Sequence, residues 1–127
     1  MLPILSIGLG SVQAGAAPCP GSTQMALNAC AAADLKRADD AMNAAYGTLM
    51  ERIGPKAREG LRAAQKAWLP FRDQSCALEA LGSEGGSIRP MILAGCLAHL
   101  TDDRTKTLRN YLTCDEGDLT CVGRFQE

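Results

Sequence analysis

The stretch QKAWLPFRDQSC, residues 65 to 76, places the chain's only tryptophan, an adjacent Arg-Asp pair and a cysteine within twelve residues. Trp68, Arg72 and Cys76 recur every four residues and Gln65 stands three before Trp68. On an α-helix all four therefore lie along one side, one above another. The flanking sequence continues this helix. Leu61, Ala64, Trp68, Phe71, Ser75 and Leu78 follow spacings of three and four and predict an apolar stripe ending at Gly82. Pro70 interrupts it, because proline has no amide proton and its ring meets the carbonyl four residues back. A kink is expected between Lys66 and Pro70.

A periodic segment lies on each side. The earlier one begins at Ser22 or Thr23, either of which can cap free helix amides, and carries Leu35, Ala38, Met42, Ala45 and Leu49 with Tyr46 and Ile53 beside them. Ile53-Gly54-Pro55 stops it, with Gly54 expected as a left-handed cap and Pro55 suited to the next helix's first turn. The later one runs from Ser87 or Arg89 to Leu112, with Pro90 in its first turn and Leu93, Leu97, Leu100, Leu108 and Tyr111 on its apolar side. No stretch alternates as a strand does. The expected fold is all-α, a small antiparallel three-helix bundle stabilised by disulfides.

The whole chain sets matching bounds. Its 127 residues make room for one compact domain, and 46% apolar content excludes wholesale disorder. Thirteen basic and fourteen acidic side chains nearly cancel, which removes the broad positive field that nucleic-acid or anionic-membrane binding needs. The start, MLPILSIGLGSVQAGAAPC, has a short apolar run from Leu2 to Leu9 and then small residues, with Val12-Gln13-Ala14 as a cleavage motif. Residues 1–17 read as a signal peptide cleaved near Ala14 or Ala17, although no Lys or Arg precedes the apolar run. The run is far shorter than the ~20 residues a bilayer span takes, so no transmembrane segment is expected in the mature chain. The predicted location is the periplasm or the exterior. Ala-Ala-Pro-Cys lacks the Leu-small-small-Cys pattern of a lipoprotein signal, so Cys19 is not expected to be acylated.

Six cysteines, at 19, 30, 76, 96, 114 and 121, follow this segment. An even set in an exported chain reads as a disulfide framework with its pairing left open. The up-down-up order brings Cys30, Cys76 and Cys96 to one pole, and Cys19 can fold back to it. Cys114 and Cys121 enclose the acidic segment CDEGDLTC and are expected to pair. Residues 18–113 then form the helical domain, and 114–127 a short acidic tail with a local disulfide. A zinc site has no C-x-x-C to build on, and His99 stands at no finger-like spacing.

Chemistry argues against an enzyme. His99 is the single histidine, oxidised cysteines offer no nucleophile, and Asp73, Glu79 and Glu84 remain as carboxylates without an evident sugar cleft between helices. His99, Asp102 and Asp103 stand at helical offsets of three and four, an arrangement compatible with a metal but read here as a solvated polar face. No catalytic residue, cofactor or metal is expected. Arg72 and Asp73 flank the apolar stripe, where an arginine fork can satisfy several oxygens at once. They are expected to pair across the bundle with Asp102 or Asp103 and with Arg104, in a network that includes Gln65 and Trp68.

The loop GSEGGSIRP, residues 82–90, is the candidate contact surface, through Glu84, Gly85, Gly86, Ser87 and Arg89. The competing reading makes Ser87 a helix cap and Gly85-Gly86 a simple turn. Lys36, Arg37, Asp39 and Asp40 on the first helix offer a second polar surface.

The segments CPGSTQMALNAC, LMERI, LRAAQKAWLPFRDQSC, GGSIRP and CLAHLTDDRTKTL resemble the secreted lysozyme inhibitor LprI family of bacterial envelope proteins, over roughly Cys19 to Leu112. The resemblance is sharpest at Gln65, Trp68, Arg72, Asp73 and Cys76, then at Gly85-Gly86-Ser87, Cys96, Thr101, Arg104 and Leu108. Pro70 and the pair Cys114 and Cys121 depart from the family pattern. The resemblance implies a small exported helical domain with disulfides and, for at least one member, inhibition of lysozyme, so the expected activity is that of an exported binding protein that inhibits a lysozyme-type muramidase. The alternative is a non-catalytic envelope structural or accessory module that binds a periplasmic protein or a cell-wall fragment.

Overall fold

The computed structural model describes residues 19–127, so the expected signal peptide at 1–17 lies outside the described residues. Three helices, α1 (Gln24–Arg52), α2 (Pro55–Glu79) and α3 (Arg89–Asn110), form an antiparallel bundle, with single 3-10 turns at Leu81–Ser83 and Val122–Arg124. Disulfides join Cys19 to Cys30, Cys76 to Cys96 and Cys114 to Cys121. Among the described residues, no helix is long and apolar enough to cross a membrane.

Thr23 opens α1 by accepting a hydrogen bond from the Ala26 amide at 3.1 Å, which satisfies one of the free first-turn donors. The helix then buries Ala38, Met42, Ala45 and Leu49, the periodic face expected of it. Its end differs from expectation. Gly54 is extended, at φ −83° and ψ 177°, and serves as the N-cap of α2; it is not a left-handed cap. Glycine is required there for another reason: a Cβ would overlap the Gln126 carbonyl, and the Gly54 amide donates to Phe125 O at 2.8 Å. A contact with a residue some seventy positions away leaves no local sequence signal.

That contact belongs to a returning tail. Gly54 has no side chain to cap α2, and the amides of Lys56 and Ala57 donate instead to the Glu127 main-chain oxygen at 3.0 and 3.4 Å. Cys121 is buried, Val122 packs on the core, and the Gly123 amide donates to Tyr111 O at 2.9 Å. The segment after α3 therefore completes the core.

α1 and α3 run in close contact, and α2 lies against α3 over a shorter length. The α1–α3 seam is built from small side chains: Ala38 and Ala45 meet a helix whose buried line is Ala94, Ala98, Thr101, Thr105 and Leu108. The Thr105 hydroxyl donates to Thr101 O at 3.0 Å, so its burial leaves no polar group unpaired. Leu93, Leu97 and Leu100, expected on the apolar side, are half-buried on its flanks. α3 also starts without the expected Ser87 cap; Ile88 is its N-cap and supplies no side-chain bond. It ends at Asn110, two residues before the expected Leu112.

α2 is rotated relative to its expected stripe. Phe71 and Leu78 point outward, 63% and 68% exposed, while Leu61 and Cys76 are buried and Gln65, Trp68 and Arg72 are half-buried on the inner side. Adjacent helix residues are about 100° apart, so Phe71 and Arg72 cannot both face the core. The Cys76–Cys96 bond and the partners of Arg72 fix the rotation in favour of the arginine. The helix continues through Pro70.

Candidate functional site

Two groups of residues hold the signals found in the sequence: a polar cluster under α2 and the loop after it. In the cluster, the Arg72 side chain is only 13% exposed and uses every guanidinium nitrogen. Its Nη1 donates to Asp39 Oδ1 and to Thr101 Oγ1, each at 3.1 Å, while Nη2 and Nε reach Asp73 Oδ1 at 2.9 and 3.0 Å. One side chain thereby ties α2 to both other helices. Arg72 and Arg104 lie 5.5 and 5.9 Å from the centroid of the Trp68 ring, which attracts both cations through its π face. Arg104 Nε donates to Gln65 Oε1 at 2.9 Å, and Gln65 turns its amide nitrogen to the Met42 sulfur at 3.4 Å.

Gln65, Trp68, Arg72, Asp73 and Arg104 thus meet in one place, but their partners differ from those expected. Asp102 faces Arg37 of α1, with Nη2 3.0 Å from Oδ2, and the hydrogen bonds that Arg37 donates to Asp102 and then to Asp34 raise its pKa. Asp103 lies 3.6 Å from His99, so His99, Asp102 and Asp103 do not converge on a common point. Asp73 stays beside its own neighbour and reaches no other helix. Asp39 is the residue that sequence reasoning placed on an outer surface. Its signal is positional, because it follows buried Ala38 and precedes buried Met42 by three, on the flank of the α1 stripe. Of the first-helix surface, Lys36 and Asp40 pair with each other in solvent at 2.7 Å, whereas Arg37 and Asp39 turn to the bundle.

Among the described residues, Cys76, Glu79 and Cys96 bring three ligand-type atoms within 4.8 Å of one another. The two sulfurs are bonded to each other and hold no charge to offer a metal, and Glu79 Oε2 lies 3.0 Å from the Cys96 sulfur.

The loop is built on Ala80, whose buried carbonyl accepts from the Ser83 amide at 3.0 Å, the Ser83 hydroxyl at 2.8 Å and Arg89 Nη1 at 2.8 Å. Gly85 has φ 75°, a left-handed conformation that excludes most side chains. The Gly86 amide donates back to Ser83 O at 2.9 Å and closes the turn. Asn28 Nδ2 donates to Ser87 O at 2.9 Å, which fastens the loop to the first turns of α1. Glu84, Gly85, Gly86 and Ser87 are exposed, whereas Arg89 is half-buried and commits Nη1 to the Ala80 carbonyl. Met25, Leu78, Leu81 and Ile88, all exposed apolar residues, belong to the elements that meet at this end. Met25, Leu81 and Ile88 sit at element ends, where no periodicity marks them.

The profile described as Lysozyme inhibitor LprI matches residues 16–108, which include this loop, the Arg72 cluster and the Cys19–Cys30 and Cys76–Cys96 bonds. The chain belongs to the LprI family. A relative from Rhizobium meliloti (strain 1021), Uncharacterized protein R02472, is 35% identical over 107 residues, covering 74% of this chain and 77% of that protein. No solved structure matches the chain. The LprI match stops before Cys114, so the returning tail and its disulfide lie beyond the matched residues.

Proposed function

We propose that this chain is an exported binding protein that inhibits a lysozyme-type muramidase, and that the 82–90 loop makes the contact. The observation that carries the reading is an exposed loop edge, Glu84 to Ser87, held on a cross-linked frame within the part of the chain that matches the LprI profile. The choice of target comes from the family description. Export is supported by the signal-like start and by three disulfides, which persist in oxidising compartments.

Preorganisation is what this surface brings to binding. The Ala80 carbonyl, the Asn28 side chain and the Cys76–Cys96 bond order the loop beforehand, so association loses less conformational entropy. A net charge of −1 gives little long-range pull on a basic enzyme. Selectivity therefore falls to short-range contacts: Glu84 and the Ser87 hydroxyl for polar groups, with Leu81 and Ile88 as apolar anchors.

The test is an inhibition titration on insoluble peptidoglycan with several muramidases. Saturable inhibition is expected, weakened by ~1 to 3 kcal/mol in Glu84→Gln or Ser87→Ala through loss of one hydrogen bond to the partner. Arg89→Ala is read alongside its melting curve, because Arg89 also holds Ala80. Undiminished lysis by every muramidase at high micromolar oxidised protein overturns the inhibitor reading and leaves the envelope-module alternative.

A further inference from the structure

We infer that the groove between α2, the end of α3 and the returning tail is a binding site for a small aliphatic carboxylate, with Arg104 as its anion anchor. This inference stands apart from the muramidase reading and uses the opposite end of α2. The groove has a volume of about 220 Å³. Ala57, Gly60 and Ala64 line it from α2, Val122 and Phe125 line it from the tail, and Arg104 is its single charged lining residue.

Arg104 differs from Arg72 in what it leaves free. Arg72 uses all three nitrogens on oxygens of the protein, whereas Arg104 spends only Nε, on Gln65. Among the described residues no carboxylate lies within ion-pair distance of Arg104, and its two terminal nitrogens have no hydrogen-bond partner. Trp68 and Gln65 hold the guanidinium in place, which reduces the entropy lost when it binds a ligand. Two parallel N–H groups match the two oxygens of a carboxylate, and the apolar walls suit a short hydrocarbon attached to it. A groove of this size and apolar lining suits a short-chain acid, for which pentanoate is the probe. The same group is presented by a free acid or by the C-terminal residue of a peptide.

Trp68, the chain's only tryptophan, is a built-in reporter because it stacks on the anchor. The experiment is an NMR titration of the oxidised protein with pentanoate, following the Trp68 indole N–H and the amides of Gly60 and Ala64. Saturable shifts at these positions are expected. The isosteric neutral pentanamide should bind at least about tenfold more weakly, and Arg104→Gln should weaken pentanoate to a similar degree. Arg104→Gln also removes a contact to Trp68, so Gly60→Leu supplies a second test. A Cβ at Gly60 meets nothing within 4 Å and Gly60 lines the groove, so a larger side chain there obstructs the site without replacing Arg104. It should abolish binding without lowering the melting temperature, since leucine is a better helix former than glycine inside α2. N-acetyl-glycyl-valine binding more tightly than pentanoate assigns the ligand to a peptide terminus, and weaker binding assigns it to a free acid. Equal affinity for pentanamide, unchanged pentanoate binding by Gly60→Leu, or shifts that never saturate would overturn the site.

Discussion

The bundle joins its helices in two different ways. Between α1 and α3, alanine and threonine let the two helices approach closely, and contact is made by many short side chains that lose little rotamer entropy on burial. Between α2 and the rest, much of the work falls to long or polar groups: Trp68, Arg72, Gln65 and Arg104, with one disulfide. The first seam is broad and non-directional. The second rests on a few directional contacts, which fix the rotation of α2 strongly enough to leave Phe71 and Leu78 in solvent. A helix can therefore be held by its polar side while an apolar side stays exposed, provided the polar groups find each other's lone pairs and protons.

This contrast yields a graded set of outcomes. The largest concerns the covalent member of the second seam. Replacing both Cys76 and Cys96 by alanine opens a cross-link with a sequence separation of 20 and should cost ~2 to 5 kcal/mol, read by denaturant melts of the otherwise oxidised protein. Next is Arg72→Ala, which strands Asp39 and the Thr101 hydroxyl. Asp39 keeps 38% of its side chain in solvent, so the expected loss is ~2 to 4 kcal/mol, below that for a fully buried pair. Arg72→Lys should recover only part of it, because an ammonium cannot reproduce the fork. Overpacking the first seam with Ala98→Leu should cost ~1 to 3 kcal/mol, and a smaller loss would show that the helices separate more readily than close packing implies.

The smallest effects sharpen the comparison most. Asp73→Ala leaves Nε and Nη2 of the largely buried Arg72 without their partner and should cost ~1 kcal/mol, less than Arg72→Ala because Asp73 is 59% exposed, whereas Phe71→Ser, at a residue 63% exposed, should change stability by no more than ~0.5 kcal/mol. A large loss for Phe71→Ser would mean that α2 is rotated differently in solution. Sequence spacing places Arg72 and Asp73 on equal terms, and a thermal melt of the two alanine variants separates them.

The helix starts and the core of α1 were legible because local rules govern them, whereas the helix ends were not: α2 stops at Glu79 before the expected Gly82, and α3 at Asn110 before Leu112. Thr23 has the chemistry of a cap, Pro55 and Pro90 fit first turns, and Ala38, Met42, Ala45 and Leu49 repeat at the helical period. That Gln65, Trp68, Arg72 and Cys76 share one helix side was legible too, whatever that side meets. Their partners were not. Whether Arg72 meets Asp39 or Asp102 depends on how α1 is placed beside α2, and spacing within a single helix holds no information about that.

By itself the sequence determined an all-helical chain of three segments, a disulfide framework and a resemblance to the LprI family, because periodicity, capping and cysteine parity are properties of neighbours along the chain. Only the tertiary structure decided which side of α2 faces inward, why residue 54 must be glycine and which groove Arg104 lines. Each of these turns on contacts between distant residues: Arg72 with Asp39, Gly54 with the carbonyl of Gln126, and Arg104 with a groove walled by Val122 and Phe125. Apolar periodicity favoured Phe71 as the inward residue. The disulfide and the guanidinium fork are directional where apolar burial is not, so they set the rotation and the phenyl ring was left outside.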